Sequence, residues 1–196
     1  MSWKTLLNKE APSVTLPDQA NEPYAVEPGK TGKPLVLFFY PAAGSYGCTR
    51  EACQFRDAIS EKDYYKADKV TVVGISGDSV DKQKVFVDKQ KLTFPVLSDK
   101  EGKARKAYNV GRGLFGLTPT ARVTFIIDEK GVIRDGFEST INYGAHSKFV
   151  TQWLEKLEKE KEKGKGEAPK IETPPTEPAP APAIAPEVAP VVEAQA

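Results

Sequence analysis

The chain is poor in soft metal ligands. Its 196 residues hold two cysteines, Cys48 and Cys53, and one histidine, His146. Together they make at most three ligands, short of the four of a structural zinc site, so no metal is expected. Two cysteines are also too few for the disulfide framework of a small secreted scaffold. A reducing intracellular compartment, cytoplasm or nucleus, is the expectation. Charge of one sign is missing as well. The 28 Lys and Arg nearly balance the 27 Asp and Glu, leaving a formal net charge of +1. That gives no reason to expect nucleic acid or an anionic membrane as a partner. No apolar run approaches the ~20 residues that span a bilayer. The first ten residues, Met1 to Glu10, have neither the apolar core of a secretory signal nor the Arg-rich, acid-free character of a transit peptide. Gly29-Lys30-Thr31 invites a phosphate-loop reading, but the glycine required five positions earlier is Tyr24. No cofactor is expected.

What the chain does have is an alternation of buried strands and amphipathic helices. Residues 1–34 are rich in proline and turn formers and read as an extended arm or small hairpin. Leu35 to Tyr40 is a continuous apolar run, as in a strand buried on both faces. Thr49 to Lys62 is helical in pattern, with Ala52, Phe55, Ala58 and Ile59 inward. Val70 to Ile75 is a second buried strand. Ser79 caps a helix running to Lys91, with Val80, Val85, Phe86 and Leu92 available for packing. A short strand (Pro95 to Leu97), a short helix (Lys100 to Tyr108) and a glycine-rich loop (Gly111 to Pro119) follow. Val123 to Ile127 and Val132 to Asp135 form a hairpin around Asp128-Glu129-Lys130-Gly131. A closing helix, Ser147 to Lys163, buries Phe149, Val150, Trp153, Leu154 and Leu157. Its alternating Lys and Glu residues from Glu155 on suit a solvated face. This order matches a thioredoxin-like α/β sandwich, a central mixed β-sheet flanked by helices. From Gly164 the composition changes: half of the 16 prolines lie there, with no aromatic residue. Such a segment cannot bury enough apolar surface to offset its ordering entropy. The expected division is a domain over 1–163 and a disordered tail over 164–196.

The densest information lies between Phe38 and Cys53. A strand runs into a Pro/Gly loop that delivers Cys48 to a helix start, and Cys53 follows five positions later. A helix N-terminus presents free N–H groups and the positive end of the dipole, which favour a thiolate. Five residues along a helix are about 7.5 Å apart on the axis and about 140° around it. A disulfide needs Cα atoms within roughly 7 Å and facing Cβ vectors. The pair therefore cannot bond while the helix is intact, which suggests a redox couple linked to local unwinding.

The stretch from Pro41 to Cys53 resembles the active site of the peroxiredoxins. Pro41, Ser45 and Cys48 meet the pattern Pro-x-x-x-Ser/Thr-x-x-Cys. The second cysteine five positions on is similar to the peroxiredoxin Q subfamily, also called bacterioferritin-comigratory protein. Thr120 to Asp128, an arginine opening a strand, resembles the family's second signature. Many members carry Thr where this chain has Ser45, and either supplies a hydroxyl. The resemblance covers residues 9–158 and leaves the tail outside.

It implies a thioredoxin-dependent peroxidase for hydrogen peroxide and organic hydroperoxides, serving antioxidant defence. Cys48 is then the peroxidatic cysteine and Cys53 the resolving one, joined in an intramolecular disulfide that thioredoxin reduces. Arg122, the Ser45 hydroxyl and the Cys48 backbone N–H contact the peroxide. Pro41 walls off water, and Glu51 orients the arginine. A monomer is expected rather than a dimer.

Plainer readings stand beside these. The cysteines are ordinary buried thiols; Arg122 pairs with a carboxylate at a strand end; Glu51 lies on a solvated helix face; His146 is a loop or helix-start residue. Leu114 and Phe115 either line the site's mouth or plug the core. Two other functions compete. A disulfide reductase calls for Cys-x-x-Cys, and the four intervening residues here argue against it. A non-enzymatic domain presenting its Pro/Ala tail to a partner is the other.

Overall fold

Alternate side chains of a strand point to opposite faces of its sheet. In the first buried strand this divides the molecule into two layers. The computed structural model describes residues 2–113 and 116–165. Leu114, Phe115 and the expected tail beyond Lys165 lie outside the described residues. An N-terminal 3-10 turn, Trp3–Leu6, precedes a hairpin of β1 (Val14–Pro17) and β2 (Pro23–Val26). Then come β3 (Leu35–Phe39), α1 (Tyr46–Glu61), β4 (Thr71–Ser76), α2 (Val80–Gln90), β5 (Val96–Ser98) and α3 (Lys103–Ala107). The chain closes with β6 (Val123–Ile127), β7 (Ile133–Glu138) and α4 (Tyr143–Lys165).

The central sheet runs β5-β4-β3-β6-β7. β3 and β5 flank β4 in parallel, whereas β6 pairs antiparallel with β3 and β7. It is the mixed sheet expected of a thioredoxin-like sandwich. All five residues of β3 are buried. Val36, Phe38 and Tyr40 enter one core with Phe55, Ala58, Phe86, Val150, Leu154 and Leu157, so α1, α2 and α4 cover that face. Leu35, Leu37 and Phe39 enter the other core with Trp3, Leu16, Val26, Ala104 and Tyr108, which the N-terminal segment and α3 cover. Burying each large apolar side chain is worth about 1.5–3 kcal/mol, so this two-sided packing holds β3 at the centre.

Several boundaries differ from the sequence reading, each for a local reason. α1 begins at Tyr46, because Ser45 adopts the extended backbone of an N-cap and its carbonyl accepts the Thr49 N–H at 2.9 Å. α3 is shorter than expected, since the Asp99 carboxylate receives the Ala104 and Arg105 N–H groups and fixes its start. α4 starts four residues early, because the Asn142 side chain accepts from Ala145 N. It also runs two residues past the expected boundary at 163. Ser79 does cap α2, accepting from Lys82 N, but Val85 is 64% exposed, and the residues α2 buries are Gln83 and Phe86. Among the described residues no helix is long and apolar enough to cross a membrane.

Candidate active site

Parallel strands deliver their C-terminal ends side by side, so the loops after β3 and β4 meet. Buried Pro41 follows β3, and the turn through Gly44, at φ 79°, leads into α1. The Ala43 N–H donates to Asp78 Oδ2 at 2.6 Å, and the Ser76 hydroxyl donates to the same oxygen at 2.8 Å. Gln83 Nε2 reaches Ser76 Oγ at 2.8 Å, and Tyr40 Oη donates to Gln83 Oε1 at 2.5 Å. Burial pushes the Tyr40 hydroxyl far above its usual range, so it stays a neutral donor. This buried polar network ties the loop ahead of α1 to the start of α2. The sequence reading missed Asp78 and Gln83, although their signal was available. β4 reads as a buried strand parallel to β3, so the polar residues just past its end belong beside the Pro41 loop.

Cys48 is the third residue of α1 and is 1% exposed. The first four N–H groups of a helix have no intrahelical acceptor. Its own N–H is among these, since the i→i−4 ladder opens with Thr49. Arg122, just ahead of β6 and 4% exposed, donates from Nη2 to Cys48 Sγ at 3.2 Å and from Nη1 to Glu51 Oε2 at 2.5 Å. A Cβ on Gly47 would lie 3.2 Å from Arg122 Nη2 and 3.2 Å from the Tyr143 ring, so glycine there admits the guanidinium. Burial opposes the Arg122 charge, but Glu51 and Cys48 outweigh it, and the guanidinium is held cationic. Glu51 is fully buried, three residues after Cys48 on the same helical face, which settles against a solvated position. Burial pushes its carboxyl up to about 7, against the pull of Arg122.

His146 is also fully buried, in the first turn of α4. It is a helix-start residue as expected, but its place in this cluster was not foreseen. Nδ1 lies 2.8 Å from Thr124 Oγ1 and 3.4 Å from Glu51 Oε1, and Nε2 lies 3.1 Å from the Ser139 carbonyl. Burial pushes the ring down to about 4, so it is neutral near pH 7. The overlooked signal was Asn142, whose cap moves the helix start forward and turns His146 inward.

The remaining expected residues lie around this center. The Ser45 hydroxyl is exposed and donates to Ala42 O at 3.0 Å, with no bond to the α1 backbone. Cys53 is half-buried on the same unbroken helix, its Sγ 3.6 Å from Gln90 Oε1 on α2. Both cysteines are free, and they face different neighbours. The cluster can do one chemistry well: hold a sulfur anion against a fixed cation, beside free backbone donors.

The model of the AhpC/TSA family matches residues 7–135. Among curated relatives, peroxiredoxin Q, chloroplastic, from Sedum lineare is 39% identical over 146 residues, 74% of this chain and 76% of that protein. Peroxiredoxin Q, chloroplastic, from Triticum aestivum is 43% identical over 123 residues, 63% of this chain but 54% of that longer protein. Among solved structures, peroxidoxin BcpB from Mycobacterium tuberculosis superposes with a TM-score of 0.67 at 34% identity, covering 77% of this chain and 97% of that one. With its mixed sheet, its two cysteines on one helix and these relatives, the chain belongs to the AhpC/TSA family and is a thiol peroxidase of the peroxiredoxin Q type.

Proposed function

We propose that Cys48 is the peroxidatic cysteine and that Arg122 is its electrostatic partner. One observation carries this reading: the Arg122 Nη2 to Cys48 Sγ contact of 3.2 Å in the first turn of α1. The thiolate attacks the terminal peroxide oxygen, the O–O bond breaks, and the alkoxide or hydroxide leaves with a proton from solvent. Sulfur is oxidised to sulfenic acid and the peroxide is reduced to alcohol or water. An ordinary thiol is about 3% ionised at pH 7, so ionisation alone gains at most roughly 30-fold. The larger share comes from stabilising charge on the departing oxygen. Arg122 does this from a fixed fork, one arm of which Glu51 holds. The Cys48 N–H supplies a further donor. Pro41 shields the sulfur from water, and the Ser45 hydroxyl swings from Ala42 O to the peroxide.

Cys53 then condenses with the sulfenic acid, forming an S–S bond and releasing water. A thioredoxin-type dithiol reduces that disulfide by exchange, oxidising itself. This reading calls for a compartment supplied with such a reductant. Near-complete burial of Cys48 argues against a protein-disulfide reductase, whose nucleophile must meet another protein's sulfur. The test is peroxide consumption coupled to thioredoxin, thioredoxin reductase and NADPH. Wild type turns over with hydrogen peroxide and alkyl hydroperoxides, Cys53→Ser stalls after one turnover, and Cys48→Ser is inactive. Thioredoxin-linked turnover in Cys48→Ser would refute the assignment.

A further inference from the structure

The hydrogen-bond inventory of His146 leaves one contact unexplained. A carbonyl oxygen only accepts, so the 3.1 Å contact to Ser139 O puts a proton on Nε2. In the neutral ring Nδ1 is then bare and accepts from the Thr124 hydroxyl at 2.8 Å. Glu51 Oε1 lies 3.4 Å from the same Nδ1, buried, and finds no hydrogen-bond partner. With Glu51 ionised, Thr124 fills the single Nδ1 lone pair and Glu51 Oε1 is left without a donor, out of reach of water. One proton between Glu51 and His146 supplies that donor.

Charge balance says when the proton is there. Arg122 from ahead of β6 and His146 from α4 are the charged or titratable groups that meet Glu51, and Cys48 of α1 is joined to them through the other arm of Arg122. Against His146, the β7 side presents only the Phe137 ring, 4.8 Å between centroids, and the Ser139 carbonyl. Arg122 carries one positive charge. A Glu51 carboxylate neutralises it while Cys48 is a thiol. Once Cys48 is a thiolate, a second buried anion is uncompensated.

We propose that His146 is a positioning residue for the peroxide step: with Glu51 it holds one proton across the Nδ1–Oε1 contact when Cys48 is a thiolate, leaving the Arg122 charge to the sulfur. The balance is Cys48–SH plus the Glu51 carboxylate going to the Cys48 thiolate plus the Glu51 acid. The net charge of the cluster is unchanged, and the acid proton is donated to Nδ1 while the Thr124 hydroxyl turns its own proton away from that nitrogen. Burial favours the neutral form of both partners, which places the proton on the carboxyl. The proposal rests on Cys48 being the peroxidatic thiol.

Because His146 is the sole histidine, labelling histidine with 15N gives one pair of ring nitrogen signals. Linkage is reciprocal: if the proton supports the thiolate, the thiolate must retain the proton. The ring signals of the reduced enzyme should therefore titrate at a higher pH than those of Cys48→Ser. Identical midpoints overturn the proposal, whether or not the enzyme consumes peroxide. The second readout is the rate of Cys48 oxidation against pH. In wild type it rises as the thiolate forms and falls again as the shared proton is lost. In Glu51→Gln the amide cannot lose that proton, so the alkaline fall disappears. A wild-type rate that climbs to a plateau, or an alkaline fall that persists in Glu51→Gln, overturns the proposal.

Discussion

At the residue scale, the proposed roles of Arg122 and of the Glu51–His146 pair each make a measurable prediction. Replacing Arg122 with Met keeps its bulk and removes the donors to Cys48 and Glu51. Losing a donor that stabilises transition-state charge typically costs 10²–10³ in rate. The loss should persist at a pH where the thiol is fully ionised, measured by rapid-mixing oxidation. Recovery of the wild-type rate there would reduce Arg122 to an ionisation aid. The buried pair also predicts a pH signature in stability. Glu51 is raised from 4.5 to about 7, so its contribution is full below 4.5 and is lost as pH rises toward 7. His146 is lowered from 6.5 to about 4, so its contribution is full above 6.5 and is lost as pH falls toward 4. Between these limits the two oppose each other and the wild type is nearly flat. Denaturant unfolding of His146→Asn should show stability falling as pH rises through this window, with a limiting slope of about 1.4 kcal/mol per unit. Glu51→Gln should show the opposite slope. Slopes of the same sign in both variants would contradict the account. Cys48, Glu51 and Arg122 were legible because sequence signatures carry them. His146 was not, because only the three-dimensional meeting of α1, β6 and α4 gives a lone histidine its partners.

At the scale of elements, α1 carries both the proposed nucleophile and the obstacle to its recycling. Cys48 and Cys53 share one continuous helix, and their sulfurs face Arg122 and Gln90. Disulfide formation must therefore open the turns between them, giving up a few backbone hydrogen bonds at roughly 1 kcal/mol each. The opening has a natural limit. Phe55 is fully buried, and Arg56 Nη1 donates to Gln90 O at 2.6 Å, clamping the rest of α1 to the end of α2. Amide exchange should rise across residues 46–54 on oxidation and stay slow from 55 to 60. Equal exchange in the two redox states, with the disulfide confirmed by mass, would rule out this coupling. The element order was readable because apolar runs and helical spacing carry it, as in β3 and α1. Boundaries were less so, because they depend on single caps. Asn142 and Asp99 each moved a helix start through a single side chain. Val85 shows the limit of counting apolar residues: α2 turns Gln83 inward, to Tyr40 and Ser76, and leaves Val85 in water.

For the whole molecule, the sheet gathers the site from distant parts of the chain. Tyr40, Cys48, Asp78, Arg122 and His146 come from five segments and meet at one end of β3, β4 and β6. All of them lie within the described domain, so a chain ending at Lys165 should keep its peroxide turnover. Loss of the peroxide step on that truncation, in a folded protein, would give 166–196 a part in the chemistry. The fold class was legible from the alternation of strands and helices. The two-layer division was not, since burial on both faces of β3 erases the polar alternation that would reveal a strand's inner side.

The central claim is that Cys48 is the sulfur that meets the peroxide. The most direct measurement is to mix reduced Cys53→Ser with one equivalent of hydrogen peroxide, trap sulfenic acid with a selective carbon nucleophile, and locate the adduct by mass spectrometry. The account predicts one adduct per chain, on Cys48, formed as fast as peroxide disappears, and none in Cys48→Ser. Peroxide loss without an adduct at Cys48, or equal peroxide loss in Cys48→Ser, would contradict it.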